Sequence, residues 1–276
     1  MELVAAAKMR KSQEAALASR PYTNSLNEIL AEVRSRAKEA NHALFEEKLR
    51  LLNTNDAKTE LIILITSDRG LVGGLNMNLF RLLNSQFSTF NSQLEFVVVG
   101  KKGLGFTVKS HSATIASFEN ESQSPIELAR TLTKIAIDNY VSTRVDSVKL
   151  VYPHFQSTIK QNPSIVQLLP IELPKSDQLP ETSLPDSSQG NQELLFEPSA
   201  EVILEDILPH YILTKIYHAI LESKASEHSA RMVAMKNATD AASDLVDDLT
   251  LTYNQARQET ITTELLDIIT AQKAFE

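Results

Sequence analysis

The sequence predicts a small, mostly parallel α/β domain carried between two long helical arms. Three observations predict it. All seven glycines lie between Gly70 and Gly190, so both ends of the 276-residue chain lack the most permissive residue. From His210 to Glu276 there are 67 residues with neither glycine nor proline, and as one helix they would extend roughly 100 Å. Between the arms, short β-branched apolar runs alternate with helical stretches, the pattern of strands joined by crossover helices. A rod that long exceeds what a domain of this size buries, so it needs a neighbour along its side.

The first arm covers residues 1–58 and is rich in Ala, Leu, Glu, Lys and Arg. Val4, Ala7 and Lys8, followed by Leu26, Ile29, Leu30, Val33 and Ala37, mark one face. Pro21 predicts a kink or short break near Arg20, and Asn53 to Asp56 ends the arm. Residues 59–171 form the α/β domain. Strands are expected at Leu61–Ile65, Phe96–Val99, Ala113–Ala116, Val148–Tyr152 and Ile165–Leu169. Helices are expected from Asn76 to Phe90 and from Pro125 to Val141, with turns at Gly70–Gly74 and Gly100–Gly105. Residues 172–198 shift to Pro, Ser, Gln, Asp and Glu, with six acidic side chains against Lys175 alone, which reads as a polar linker. Residues 199–276 are the second arm, capped by Ser199 and bent once at Pro209.

In the second arm Ile212, Ile216 and Ile220 are followed by Ala238, Ala242, Leu245, Leu249 and Ala256, at the intervals of a coiled-coil seam. Alanine is as frequent as leucine there, so the partner helix must come close. Residues 199–276 carry 13 acidic and 6 basic side chains, whereas residues 1–59 carry 10 basic and 8 acidic. That balance suits pairing between the two arms, although exposed ion pairs add only ~0.5 kcal/mol each. A bundle with a homodimer mate is the alternative.

Composition excludes several function classes. Net charge is −8, with no basic excess to mark a nucleic-acid surface. The chain has no cysteine, which rules out disulfides, thiolate metal sites and a cysteine nucleophile. No apolar run approaches the ~20 residues that cross a bilayer, and the start lacks the apolar core of a signal peptide. The chain reads as soluble.

A search for chemistry finds no catalytic constellation and no cofactor site. Gly70 to Gly74 follows a strand but lacks the lysine and hydroxyl of a phosphate loop, so it reads as a tight turn. Gly100-Lys101-Lys102-Gly103 reads the same way. Asp244, Asp247 and Asp248 share a helix face and would hold Mg²⁺ only with a second acidic helix opposite, so a solvated face is the simpler reading. A Mg²⁺-dependent enzyme built on these three carboxylates is the competing function class. The six histidines have no metal-ligand spacing.

Specific motifs then carry a resemblance. The run from Ser226 to Thr239, SEHSARMVAMKNAT, and the run from Tyr253 to Leu265, YNQARQETITTEL, are similar to two signature segments of the gamma subunit of ATP synthase. Val4 to Arg10, Thr66 to Asn76 and Leu195 to Pro198 agree with the same family, so the resemblance spans nearly the whole chain. It implies a rotary shaft: the terminal helices form an antiparallel coiled coil inside a hexamer of alpha and beta subunits. The α/β domain would sit below with the epsilon subunit on a membrane ring of c subunits, turned by proton flow. A chain of this kind has no active site of its own and meets the membrane only through the c-ring, on the cytoplasmic face of a bacterial inner membrane.

By position, the resemblance assigns Arg257, Gln258, Thr262 and Glu264, with Lys8 and Arg10 of the first arm, to contact with beta subunits. Phe196 and Glu197 correspond to the foot on the c-ring. Three departures stand out. The family pattern has about twenty residues, roughly 30 Å of helix, before the position matching Met1. Thr270 to Glu276 replaces a small Gly- and Ala-rich tail, and Val72 replaces a common cysteine. A divergent or truncated gamma-like chain with impaired coupling is therefore a further alternative, and the turns from Glu259 onward are expected to fray in isolation.

Overall fold

The computed structural model describes residues 2–36, 44, 59–87, 93–122, 124–171 and 199–274. Strands β1 (Thr59–Ile65), β2 (Gln93–Val99), β3 (Ala113–Phe118), β4 (Ser147–Phe155) and β5 (Gln161–Leu169) form one sheet in the order β3-β2-β1-β4-β5. β1 pairs in parallel with β2 and β4, and β2 with β3. Only β5 runs antiparallel, as the hairpin partner of β4 at the edge. The helices are α1 (Glu2–Arg36), α2 (Leu75–Phe87), α3 (Lys101–Lys109), α4 (Pro125–Val141) and α5 (Ala200–Ala274). The linker expected at residues 172–198 and the chain from 45 to 58 lie outside the described residues.

β1 is the centre of the sheet, and Leu61 to Ile65 are all fully buried. Successive side chains of a strand point to opposite faces. Accordingly Leu61, Ile63 and Ile65 join a core with Leu128, Leu132 and Tyr140 of α4 and with Leu208, Ile212 and Ile216 of α5. Ile62 and Leu64 face the other way, onto Leu79 and Leu83 of α2, with Phe106 of α3 packed against them. The shaft helices thus lie on the α4 side of the sheet, and α2 and α3 cover the far side.

The turn expected over Gly100–Gly105 is mostly helix, because α3 starts at Lys101. Gly100 and Gly103 serve close packing. Gly100 has φ +98, and a Cβ there would meet the Thr66 carbonyl oxygen at 2.3 Å. A Cβ on Gly103 would come within 2.7 Å of Val98 Cγ1. Glycine lets the α3 backbone reach the end of β1, where Gly103 N donates to Thr66 Oγ1 at 2.9 Å.

Both long helices pass their prolines. α1 runs through Pro21 and α5 through Pro209, so of the kink or short break expected near Arg20 the break does not occur. Tertiary packing on both sides of each proline outweighs the one lost hydrogen bond. Ser199 stands before α5, and its Oγ accepts from Val202 N at 3.4 Å, a long N-cap contact.

Candidate functional site

α1 lies antiparallel on α5. Tyr22 Oη is 2.6 Å from His210 Nε2, Ser19 Oγ is 2.8 Å from His218 Nδ1, and Arg20 reaches Glu222. Further back along α1, Val4, Ala5 and Lys8 share a pocket with His228, Arg231 and Met235 of α5. Residue numbers fall on one helix as they rise on the other. The α1 seam is Ala5, Met9, Ser12, Ala16, Ser19, Thr23, Leu26, Leu30 and Val33, none of them exposed. Its intervals alternate four and three, the coiled-coil repeat. Of the face expected from apolar spacing, Leu26, Leu30 and Val33 lie on this seam, whereas Val4, Ala7, Lys8 and Ile29 are exposed. Ser12, Ser19 and Thr23 hide the true seam from a search for apolar spacing, and Ala37 lies outside the described residues.

Past Met235, α5 leaves the rest of the molecule. Residues 236–272 are all exposed, a stretch of about 55 Å at 1.5 Å per residue. They include Leu245, Val246, Leu249, Leu251, Tyr253, Ile261, Leu265, Leu266, Ile268 and Ile269, each about half exposed or more. Ala238, Ala242, Leu245, Leu249 and Ala256 share one face, as their spacing predicts. Beyond Ala256 the apolar residues Ile261, Leu265 and Ile268 stand on a face rotated by about 140°. So long and apolar a helix surface marks an interaction site rather than a free surface.

Known proteins match the chain over its length. A family model described as ATP synthase covers residues 1–275. The ATP synthase gamma chain of Opitutus terrae is 40% identical over 99% of this chain and 91% of its own length. That of Desulfitobacterium hafniense is 39% identical over 100% of this chain and 92% of its own. The chain belongs to the ATP synthase gamma chain family. Solved structures agree on the fold. A chain of the Tetrahymena thermophila mitochondrial ATP synthase central stalk and c-ring superposes with TM-score 0.61 at 22% identity, covering 87% of this chain and 97% of that one. One from the Euglena gracilis mitochondrial ATP synthase gives 0.58 at 21%, covering 99% and 94%.

Within this gamma-family chain, Arg257, Gln258, Thr262 and Glu264 lie exposed on distal α5. Lys8 and Arg10 are exposed on α1, tens of ångströms back along the shaft, so the structure does not bring the two groups together. Phe196 and Glu197 lie outside the described residues. Asp244, Asp247 and Asp248 are exposed on α5, and no group of three His, Cys, Asp or Glu among the described residues is placed to hold a metal ion. No helix among the described residues is long and apolar enough to cross a membrane.

The sheet order places a topological switch point at the carboxyl ends of β1 and β4, where open α/β folds commonly bind ligands. In this gamma chain that place is filled from within. Ser226 of α5 donates to the Pro153 carbonyl at 2.9 Å. Asp68 Oδ1 accepts from Lys101 N, at the start of α3, at 3.1 Å, and its Oδ2 accepts from Glu121 N at 2.9 Å. The amides that would greet a phosphate are already satisfied by a carboxylate of the chain itself. Leu71 at φ +62 and Gly73 at φ +57 shape the adjoining loop. Beside it, a pocket of ≈ 180 Å³ is lined by Arg69, Leu71, Glu121, His228 and Arg231. Its charges are mostly matched, with Arg69 at 3.2 Å from Glu121 and Arg231 at 2.7 Å from Glu227. Burial, helped by Arg231 and Lys8, pushes the His228 imidazole down to about 4, and burial raises the Glu227 carboxyl.

The residues that sequence reasoning missed sit where the shaft meets the sheet. Glu222 is almost fully buried between Arg20, His154 and His218. One signal was available: in Ile220 to Ala225 the only charged residues are Glu222 and Lys224, among apolar and small neighbours that leave little solvent-facing stripe.

Proposed function

We propose that this chain is the central-stalk rotor of a proton-translocating ATP synthase, carrying rotation between a membrane c-ring and a catalytic hexamer of alpha and beta subunits. One observation carries the reading: a helix about 55 Å long, exposed on all sides and apolar on two faces, has no neighbour among the described residues. A sleeve formed by other subunits supplies it. Each Leu or Ile removed from water there contributes about 1.5–3 kcal/mol, so the ten large apolar residues are ample to hold the rod in place. Two faces in different directions suit two neighbours, a second helix along the first and the sleeve around the second.

In this reading the chain is a non-catalytic subunit that needs no cofactor of its own. Arg257 and Gln258 meet beta subunits in some rotor positions and not others, with Thr262 and Glu264 one to two turns on, and Lys8 and Arg10 of α1 meet beta separately, lower on the shaft. Such differential contact is what couples the angle of a shaft to nucleotide affinity. Phe196 and Glu197 supply the foot on the c-ring, epsilon binds beside the α/β domain, and the assembly lies on the cytoplasmic face of a bacterial inner membrane. Reconstitution tests this. Alpha and beta subunits mixed with this chain should co-purify with it and hydrolyse ATP in a way that depends on it. A hexamer equally active without the chain overturns the reading.

A further inference from the structure

Three elements share one buried carboxylate where the shaft meets the α/β domain. Glu222 of α5 is 1% exposed at its side chain. Its Oε2 lies 2.7 Å from His154 Nδ1 on β4. Its Oε1 lies 3.3 Å from Arg20 Nη2 on α1 and 3.4 Å from His218 Nε2, one turn earlier on α5. Tyr152 of β4 lies beside it, its phenol pushed upward by burial and by the Glu222 charge. The end of β4 takes two more bonds: Phe155 O accepts from Arg20 at 3.2 Å and Pro153 O from Ser226 at 2.9 Å. Beneath them Ala16, Phe155, Leu221 and Ala225 form a small apolar floor drawn from the same three elements.

A carboxylate this deep persists only when paired. Pairing alone does not explain it, because a buried ion pair is often replaceable by apolar residues without loss of stability. What the ion pair adds is direction. The rest of the contact between α5 and the sheet, at Leu208, Ile212, Ile216 and Ala219, is apolar. Apolar burial has no preferred angle, so those side chains resist separation far better than they resist turning. Charge-assisted hydrogen bonds fix both the angle and the axial position of the two bodies. Three polar bonds between β4 and the shaft helices cluster at Pro153, His154 and Phe155.

We propose that Glu222 is a positioning residue for rotation. With Arg20 and His154 it clamps the α/β domain to both shaft helices, so a turn imposed at one arrives at the other without slip. The proposal rests on the rotor reading, since only a shaft under torque needs its domain locked in angle.

The test uses the full chain, alone and in the reconstituted membrane complex, with Glu222→Gln, His154→Gln, Arg20→Gln and the double variant Glu222→Gln/His154→Gln. In the chain alone, amide exchange at residues 153–155 and 218–226 should speed up by about tenfold in Glu222→Gln, the effect of losing one charge-assisted bond. In the complex, ATP hydrolysis should persist while ATP-driven proton pumping per ATP hydrolysed falls. The double variant should be no worse than the worse single one, because both remove one clamp. Faster exchange with an unchanged pumping ratio would make Glu222 a structural residue only and overturn the proposal. Unchanged exchange overturns it too. If Glu222→Gln does not assemble, His154→Gln and Arg20→Gln decide, since those side chains are about 40% exposed and each leaves Glu222 its remaining partners. A hexamer that ignores the chain altogether defeats the rotor reading, while the exchange result still reports whether the clamp exists.

Discussion

At the scale of single residues, the chain stores sensitivity to acid where α1 lies on α5. His228 sits between Arg231 and the α1 lysine Lys8, and burial with those two cations holds its imidazole at about 4, against an ordinary 6.5. The unfolded chain therefore takes up a proton more readily than the folded one. Stability from this group is complete above pH 6.5 and drains away as pH falls toward 4. Glu227 works the opposite way, because burial raises its carboxyl and low pH relieves it. We expect the urea midpoint of the chain to fall between pH 6.5 and pH 4, and to fall less in His228→Gln. Parallel pH profiles for the two proteins would contradict this. Gly100 gives a second expectation at this scale. With φ +98 and Thr66 O only 2.3 Å from any Cβ, Gly100→Ala should cost roughly 2–4 kcal/mol in urea unfolding. A loss below 1 kcal/mol would mean that Thr66 moves aside with ease.

At the scale of elements, one helix behaves as two. Ile216 is fully buried against the sheet, whereas Leu249, nine turns on, is 59% exposed. Ile216→Ala should destabilise the isolated chain by about 2–5 kcal/mol, and Leu249→Ala by no more than about 0.5 kcal/mol. In assembly with alpha and beta subunits the order should reverse for binding, with Leu249→Ala weakening capture of the chain. Equal effects of both in the isolated chain, read by thermal unfolding, would deny the division. The acidic face gives a contrast. Asp247→Asn and Asp248→Asn change no bond made by those carboxylates among the described residues, so turnover of the complex should be retained; its abolition would revive the Mg²⁺ enzyme.

Much of this was legible in the chain. Runs such as Leu61–Ile65 announce a central strand because burial on both faces demands unbroken apolarity, and the motifs at 226–239 and 253–265 announce the family. The α3 helix was not legible, since Gly103 and Gly105 are poor helix residues, and Gly103 is kept for the close approach to Thr66 and Val98. Nor was the α1 seam, where Ser12, Ser19 and Thr23 take inward positions that apolar spacing does not register. The Glu222 clamp was the least visible feature. Its partners stand at positions 20, 154 and 218, and only the tertiary fold brings them to one point.

At the scale of the whole molecule, stability is unevenly distributed, and that unevenness is itself measurable. The sheet, α4, α1 and the first half of α5 share one core and should unfold together. Residues 236–272 share no core at all, and an isolated helix of that length is only marginally stable in water. The fraying expected from Glu259 onward therefore extends back to about Lys236, because burial by the rest of the chain ends at Met235. Heating the isolated chain while following helical circular dichroism should give a broad, early loss of signal from the distal half of α5. A sharp transition of the remainder should follow at higher temperature. Adding alpha and beta subunits should remove the early phase, since a sleeve around residues 236–272 binds only their helical form. A single sharp transition in the isolated chain, with uniformly slow amide exchange beyond Ile261, would mean that the distal rod is held by something other than its neighbours in the complex.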